Sequence, residues 1–413
     1  MKRIIFGFLC LFLFIFEVKS LSLPDELNEI VTADSLILIN MDKNEVIYEK
    51  NPDKREILAS LTKIMTAYTV IENVDNLNKV ITITDEDIAN LYGFTCAGLK
   101  PGDKLSYLDL LYATILLSAA DASQALALHT GGTIENFNEM MNEEARKLGL
   151  RQSNFADSYG GDDNNVSTAR EMSRLLTKAL ENETFKKVFT TTTKTLSNDI
   201  QVTNYSRSIA TFHGLDSNIL KGNKSGFTPE AGLLLASIAE IENTNYMLIV
   251  MKSQVNEYMS THILDTYRVY NYLYNVEFKE RTLLEAGTIL KRINVEDATI
   301  KEYLAIADKN ITASLTDEDY KKVKLEYNIT NKLTTENKSG DIIGYVDILV
   351  GNDIIDTYNV YLKDDITSPE KQSKLMILLI VTLLFLSSIL LFTNLLGFYR
   401  KKNTKVKLTK KII

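Results

Sequence analysis

The chain has 413 residues, 45% of them hydrophobic and 24% charged, with five prolines, two cysteines and no tryptophan. That balance is globular and the length suits two or three folded units, which excludes collagen-like and proline-rich chains. Setting aside three bases and one acid in residues 1–20 and seven bases in residues 400–413, residues 21–399 hold 36 bases and 53 acids. A body with a net charge of −17 does not suit a nucleic-acid binder.

At the N-terminus, Lys2 and Arg3 precede an apolar run from Ile4 to Phe16, followed by Val18-Lys19-Ser20. This pattern predicts a secretory signal peptide over residues 1–20, cleaved after Ser20. Cys10 lies inside the apolar run without the small residue that a lipobox needs before its cysteine. After cleavage only Cys96 remains, so no intramolecular disulfide is expected. His129, His213 and His262 are scattered without ligand spacing, and no metal or cofactor is expected.

Residues 24–275 mix strand and helix signals. Ser35-Leu-Ile-Leu-Ile-Asn40, a turn at Met41-Asp-Lys-Asn44 and Glu45-Val-Ile-Tyr48 predict a hairpin. The spacing of Leu61, Ile64, Met65, Tyr68 and Ile71 predicts a helix over 60–73. Residues 106–117 read as a buried apolar helix, 134–148 and 167–181 as amphipathic helices, and 232–240 and 246–251 as adjacent core strands. Strands from both ends of the segment with helices between them make an α+β domain.

The character changes over 280–365. Val323, Leu325, Tyr327 and Ile329 alternate with Lys322, Lys324, Glu326 and Asn328, a half-buried strand. Asp347–Val350, the turn Gly351-Asn-Asp353 and Ile354–Leu362 read as a hairpin, so this segment is expected to be a small all-β domain. Residues 366–374 form a polar stalk. Residues 375–398 are 24 positions without a charge, long enough for a transmembrane helix, and the basic segment 399–413 behind them predicts a cytoplasmic tail. The expected layout is a body outside a cell membrane, anchored by a single C-terminal pass.

Three short segments carry the chemistry. In Ser60-Leu-Thr-Lys63, positions i and i+3 share a helix face, so the Ser60 hydroxyl and the Lys63 amine can meet. Serine is a poor nucleophile until a base takes its proton, and a lysine becomes that base when burial and positive surroundings lower its pKa. The same tetrapeptide pattern recurs at Ser368-Pro-Glu-Lys371, in the stalk, where it means nothing. Ser118-Ala119-Ala120 follows the buried helix at an interhelical turn. Lys224-Ser225-Gly226 precedes a core strand, where an amine and a hydroxyl can bind a carboxylate and the glycine permits close backbone approach.

In this order the segments resemble the S-x-x-K, S-x-N and K-[TS]-G motifs of the serine D-alanyl-D-alanine carboxypeptidases, the low-molecular-weight penicillin-binding proteins. Ala59–Thr66, Gly222–Gly232 and Ser167-Thr-Ala-Arg170 extend the resemblance over residues 30–275. It implies an α+β, β-lactamase/transpeptidase-like domain, an antiparallel sheet with helices, over 24–275, followed by the small β domain and the C-terminal anchor. It further implies that Ser60 is the acylated nucleophile, Lys63 its general base and Ser118 a proton relay to the leaving D-alanine. Lys224 and Ser225 would hold the substrate carboxylate, and the backbone N–H groups of Ser60 and Phe227, beside Gly226, would form the oxyanion hole. One such donor is worth about 3–4 kcal/mol of transition-state stabilisation. The implied substrates are peptidoglycan stem peptides and the implied inhibitors β-lactams.

One departure stands out. Ala120 occupies the place of the motif's asparagine, whose amide would help hold the lysine and the substrate. A lost charge-assisted hydrogen bond costs about 1.5–3 kcal/mol, so weakened or retuned catalysis is expected. The family's additional carboxylate-binding arginine has no counterpart in Asn256–His262, where His262 reads as a solvated loop residue before it reads as a stand-in. The rival readings are a serine β-lactamase and an inactive homologue with a wall-binding role. The first lacks an evident deacylating glutamate, and the second leaves Ser60, Lys63 and Lys224 unexplained.

Overall fold

Ser35–Asn40 is buried at all six positions, which its unbroken apolar run requires of a strand covered on both faces. In the computed structural model, which describes residues 21, 22, 24–276 and 278–409, this strand sits inside a six-stranded sheet. The signal peptide read over 1–20 and the end of the basic tail lie outside the described residues. The strands are β1 (Leu21–Ser22), β2 (Ser35–Asn40), β3 (Glu45–Lys50), β4 (Leu220–Thr228), β5 (Gly232–Ile241) and β6 (Thr244–Ser253), in the spatial order β1-β3-β2-β6-β5-β4. All pairings are antiparallel except β1 with β3. The sheet thus joins the first strands of the segment to its last ones, as the α+β reading expected.

Register separates the two faces. Ile37, Ile249, Ala236 and Lys224 lie opposite one another across four strands, and their face packs on the main helical core. That core includes α1 (Thr62–Asn73), α2 (Tyr107–Tyr112), α3 (Ala120–Gly131), α4 (Ile134–Lys147) and α5 (Ala169–Leu180). α6 (Thr261–Asn275) packs on β5 and β6, where the buried Tyr270 hydroxyl meets Ser237 Oγ at 2.9 Å. The helix expected over 106–117 changes pitch: after α2 it continues as a π turn, Ala113–Leu117. Thr168 caps α5 by accepting from Glu171 N, and Arg170 binds Asp53 and Glu49.

The chain divides into two compact units, one running to Phe278 and the other beginning at Lys279. The second is β-rich. Val323–Ile329, Ile342–Val350 and Asp353–Tyr361 form an antiparallel sheet; Glu302–Ile306, Ile289–Val295 and Lys332–Leu333 form another; Lys279–Leu284 pairs with Ile311–Leu315. The hairpin turn falls at Gly351-Asn352, and its first strand starts at Ile342, five residues before the sequence pattern suggested. Ile366 is buried, and the segment read as a stalk is helical from Pro369. That helix, Pro369–Thr409, contains a 21-residue apolar stretch, Ser373–Thr393, of mean hydropathy 3.0. At 1.5 Å per residue such a stretch is long enough to cross a bilayer core.

Candidate active site

Ser60 lies in a single 3-10 turn, Ala59–Leu61, and Lys63 in the first turn of α1. The three-residue spacing places Lys63 Nζ 3.0 Å from Ser60 Oγ. Ala59 enters the turn with φ 43°, a left-handed conformation costly for a residue with a Cβ. Gly160 explains how it is held: a Cβ there would lie 1.8 Å from the Ala59 carbonyl oxygen, so the loop touching the Ser60 turn tolerates only glycine.

Ser118 is reached by a different device. The π turn widens the end of the helix, Ala119 N donates to Ala113 O at 3.1 Å, and Ser118 adopts φ 64°. Its hydroxyl accepts from Lys224 Nζ at 2.8 Å. Lys224 stands on β4, an edge strand of the sheet, and also donates to the Ser225 carbonyl at 2.7 Å. Gly226 brings that strand against Ser60: a Cβ at this position would lie 3.2 Å from Ser60 N. Phe227, one residue on, is exposed. Ser60, Lys63, Ser118 and Lys224 therefore converge from three separate stretches of chain.

Electrostatics sets the two amines apart from ordinary lysines. Burial pushes Lys63 down to about 7, against the opposing pull of Asp157, Cys96 and Asp121. Burial, and then the charge of Lys63, holds Lys224 well below the usual lysine range. Two protonated amines cannot cheaply share one desolvated cleft. An amine that loses its proton near neutrality beside a serine hydroxyl can act as a general base.

The sequence reading missed the residues that hold this pair. Lys63 Nζ donates to the Tyr159 carbonyl at 2.6 Å. Asp157 accepts from four successive N–H groups: Tyr159 at 2.9 Å, Gly160 at 2.5 Å, Gly161 at 2.8 Å and Asp162 at 2.7 Å. The local sequence, Asp157-Ser158-Tyr159-Gly160-Gly161-Asp162, marks a turn through its paired glycines, but nothing in it marks the carboxylate as the group that wraps that turn. Asp121 similarly accepts from Ala97, Gly98 and Leu99 N, while Ala120 N donates to Thr95 O at 2.7 Å. His262 requires a correction: it is buried in the first turn of α6, where burial lowers its pKa to about 4, and it is not a solvated loop residue. Among the described residues, no group of three or more His, Cys, Asp or Glu side chains could hold a metal ion.

The profile of the D-alanyl-D-alanine carboxypeptidase family, peptidase family S11, matches residues 22–255, more than half of the chain. The chain belongs to this family. The S11 chain continues with a match to the penicillin-binding protein 5 C-terminal domain over residues 278–368. It is 24% identical over 344 residues to the D-alanyl-D-alanine carboxypeptidase DacF of Bacillus subtilis, spanning 81% of this chain and 85% of that one. It is 28% identical over 355 residues to DacA of Haemophilus influenzae, spanning 81% and 86%. Among solved structures, the Francisella tularensis carboxypeptidase DacD superposes with a TM-score of 0.62 at 20% identity, over 81% of this chain and 94% of that one. A serine-to-alanine mutant of the Streptomyces K15 DD-transpeptidase gives 0.54 at 26% identity, over 60% and 99%. The S11 chain is thus a serine hydrolase with the penicillin-binding fold, as the motifs implied.

Proposed function

We propose that this S11 carboxypeptidase removes the terminal D-alanine from peptidoglycan stem pentapeptides through an acyl-enzyme on Ser60. The carrying observation is the 3.0 Å contact between Ser60 Oγ and a buried Lys63 whose pKa lies near neutrality. Lys63 takes the hydroxyl proton as Oγ attacks the penultimate D-alanine carbonyl. The backbone N–H groups of Ser60 and Phe227 receive the charge on the tetrahedral oxygen, consistent with the close approach of Gly226 to Ser60 N. Ser118, bonded to Lys224, relays to the departing amine the proton that Lys63 took, which leaves Lys63 neutral again. Lys224 and Ser225 receive the terminal carboxylate, whose charge restores the proton affinity that burial takes from Lys224. Water, activated by Lys63, then hydrolyses the ester. β-Lactams, which present a strained amide to the same serine, acylate Ser60.

The apolar helix anchors the S11 chain in a membrane. The basic run from Arg400 to Lys411 supports, by the positive-inside bias, a cytoplasmic end with the catalytic unit outside. The full chain in detergent should release D-alanine from a diacyl-Lys-D-Ala-D-Ala tripeptide and take up a fluorescent penicillin. Ser60→Ala should abolish both. Labelling that survives the substitution would move the nucleophile elsewhere, and rapid turnover of the penicillin itself would favour a β-lactamase.

A further inference from the structure

A neutral amine has two N–H donors and one lone pair, and catalysis needs the lone pair aimed at the serine proton. Something must therefore accept an N–H from Lys63 and fix its rotation about the terminal bond. Besides Ser60 Oγ, the partner of Lys63 Nζ among the described residues is the Tyr159 carbonyl at 2.6 Å. Ala120, at the second motif, offers no polar side chain for that task. The aim of the amine thus hangs on where one peptide carbonyl stands.

That carbonyl lies in a segment with unusual restraint. Asp157, largely buried, gathers the four N–H groups of residues 159–162 on its two oxygens, Oδ1 taking Tyr159 and Gly160 and Oδ2 taking Gly161 and Asp162. The segment is fixed on both sides of this wrap. Asn165 Oδ1 accepts from Ala156 N at 2.9 Å, and Thr66 Oγ1, one helical turn beyond Lys63, donates to Ser158 O at 2.6 Å. The Tyr159 ring meets Phe94 edge-on at 5.0 Å between centroids. Turns this tight do not need a carboxylate; serine or asparagine would cap one or two N–H groups. A buried carboxylate saturated by four donors costs desolvation, and what it adds is rigidity together with a negative charge beside the base.

Resting on the reading of Lys63 as general base, we infer that Asp157 is the positioning residue of this site: it fixes the Tyr159 carbonyl, which in turn aims the Lys63 lone pair at Ser60. The groups whose charges face Lys63 are Asp157, Cys96, Asp121 and Lys224, and Asp157 is the strongest of those that raise its proton affinity. Its carboxylate therefore has two separable effects. The geometric one sets the maximal rate, because misplacement of a reacting group by about 1 Å can cost 10²-fold. The electrostatic one sets the pH at which that rate is reached.

The test is the pH profile of Ser60 acylation by a fluorescent penicillin, measured on the full chain in detergent for the native protein, Asp157→Asn and Asp157→Ala, with thermal unfolding alongside. Both variants should lower the alkaline plateau, about tenfold or more for Asp157→Ala, and both should move the acid limb to lower pH, because a negative charge beside Lys63 is gone. If Asp157→Ala does not fold, Asp157→Asn, which keeps one oxygen for two of the four donors, decides the matter. A folded variant with native plateau and native limb would overturn the inference. A lowered plateau with an unmoved limb, or a loss of thermal stability alone, would also overturn it and leave Asp157 a purely structural residue. Failure of the native protein to acylate at Ser60 would instead remove the reading of the site on which this rests.

Discussion

Replacing Lys63 by methionine should stabilise the catalytic unit while abolishing its chemistry. Lys63 is buried, and its pKa falls from 10.5 to about 7. Between those values the unfolded chain binds a proton that the folded chain does not, so stability rises with pH across this window. The cost of burying the amine is full below about 7 and gone above 10.5. At 1.36 kcal/mol per unit, that cost is about 4–5 kcal/mol at pH 7. Methionine has similar length and no charge, and it removes the term. Against this, the Tyr159 carbonyl loses its 2.6 Å donor, an unsatisfied buried acceptor worth about 1–3 kcal/mol. The net gain at pH 7 is therefore about 1–4 kcal/mol, a rise of several degrees in Tm for a unit of this size. Calorimetry at pH 7 and pH 10, paired with penicillin labelling, measures it. Tm should rise in the variant at pH 7, and the advantage should shrink or reverse at pH 10. A variant less stable than the native protein at pH 7 would show that the amine carries no burial cost, and the argument for a neutral base would fail with it.

Three further outcomes follow from the same geometry. Acylation of the native protein should fall about tenfold for each pH unit below 7, as Lys63 takes up the proton that disables it; a rate flat from pH 5 to 8 would exclude Lys63 as the base. Gly160→Ala, whose Cβ would meet the Ala59 carbonyl at 1.8 Å from a backbone with φ 82°, should cost about 2–4 kcal/mol and slow acylation, as read by thermal unfolding and labelling rate. Native behaviour in both would mean that the Ala59–Leu61 turn is free to shift. Ala120→Asn should raise the acylation rate by at most about tenfold, because one N–H of Lys63 is already held by Tyr159; a drop in rate would mean that the fully buried Ala120 site has no room for the amide.

What was legible in the sequence and what was not divide along a physical line. Periodicity found β2, α1, α4, α5, β5 and β6 because each presents a face to a core, and burial writes that face into the residues. The motif serines and lysines were legible because side-chain chemistry was itself the signal. The π turn after α2 was not, since Ala113–Leu117 is as apolar as the α-helical residues before it and only hydrogen-bond geometry separates the two pitches. His262 was misread for a related reason: a histidine on a helix's first turn has no sequence mark telling burial from exposure. Asp157 and Tyr159 lay beyond motif reading altogether. Tyr159 contributes a backbone carbonyl, which every residue possesses, and Asp157 acts on backbone N–H groups, so neither function requires a recognisable pairing of side chains. The spacing of Lys63 to Ser60 can be read from the sequence; the Tyr159 carbonyl that accepts from Lys63 is visible only after the chain has folded 96 residues of separation into one hydrogen bond.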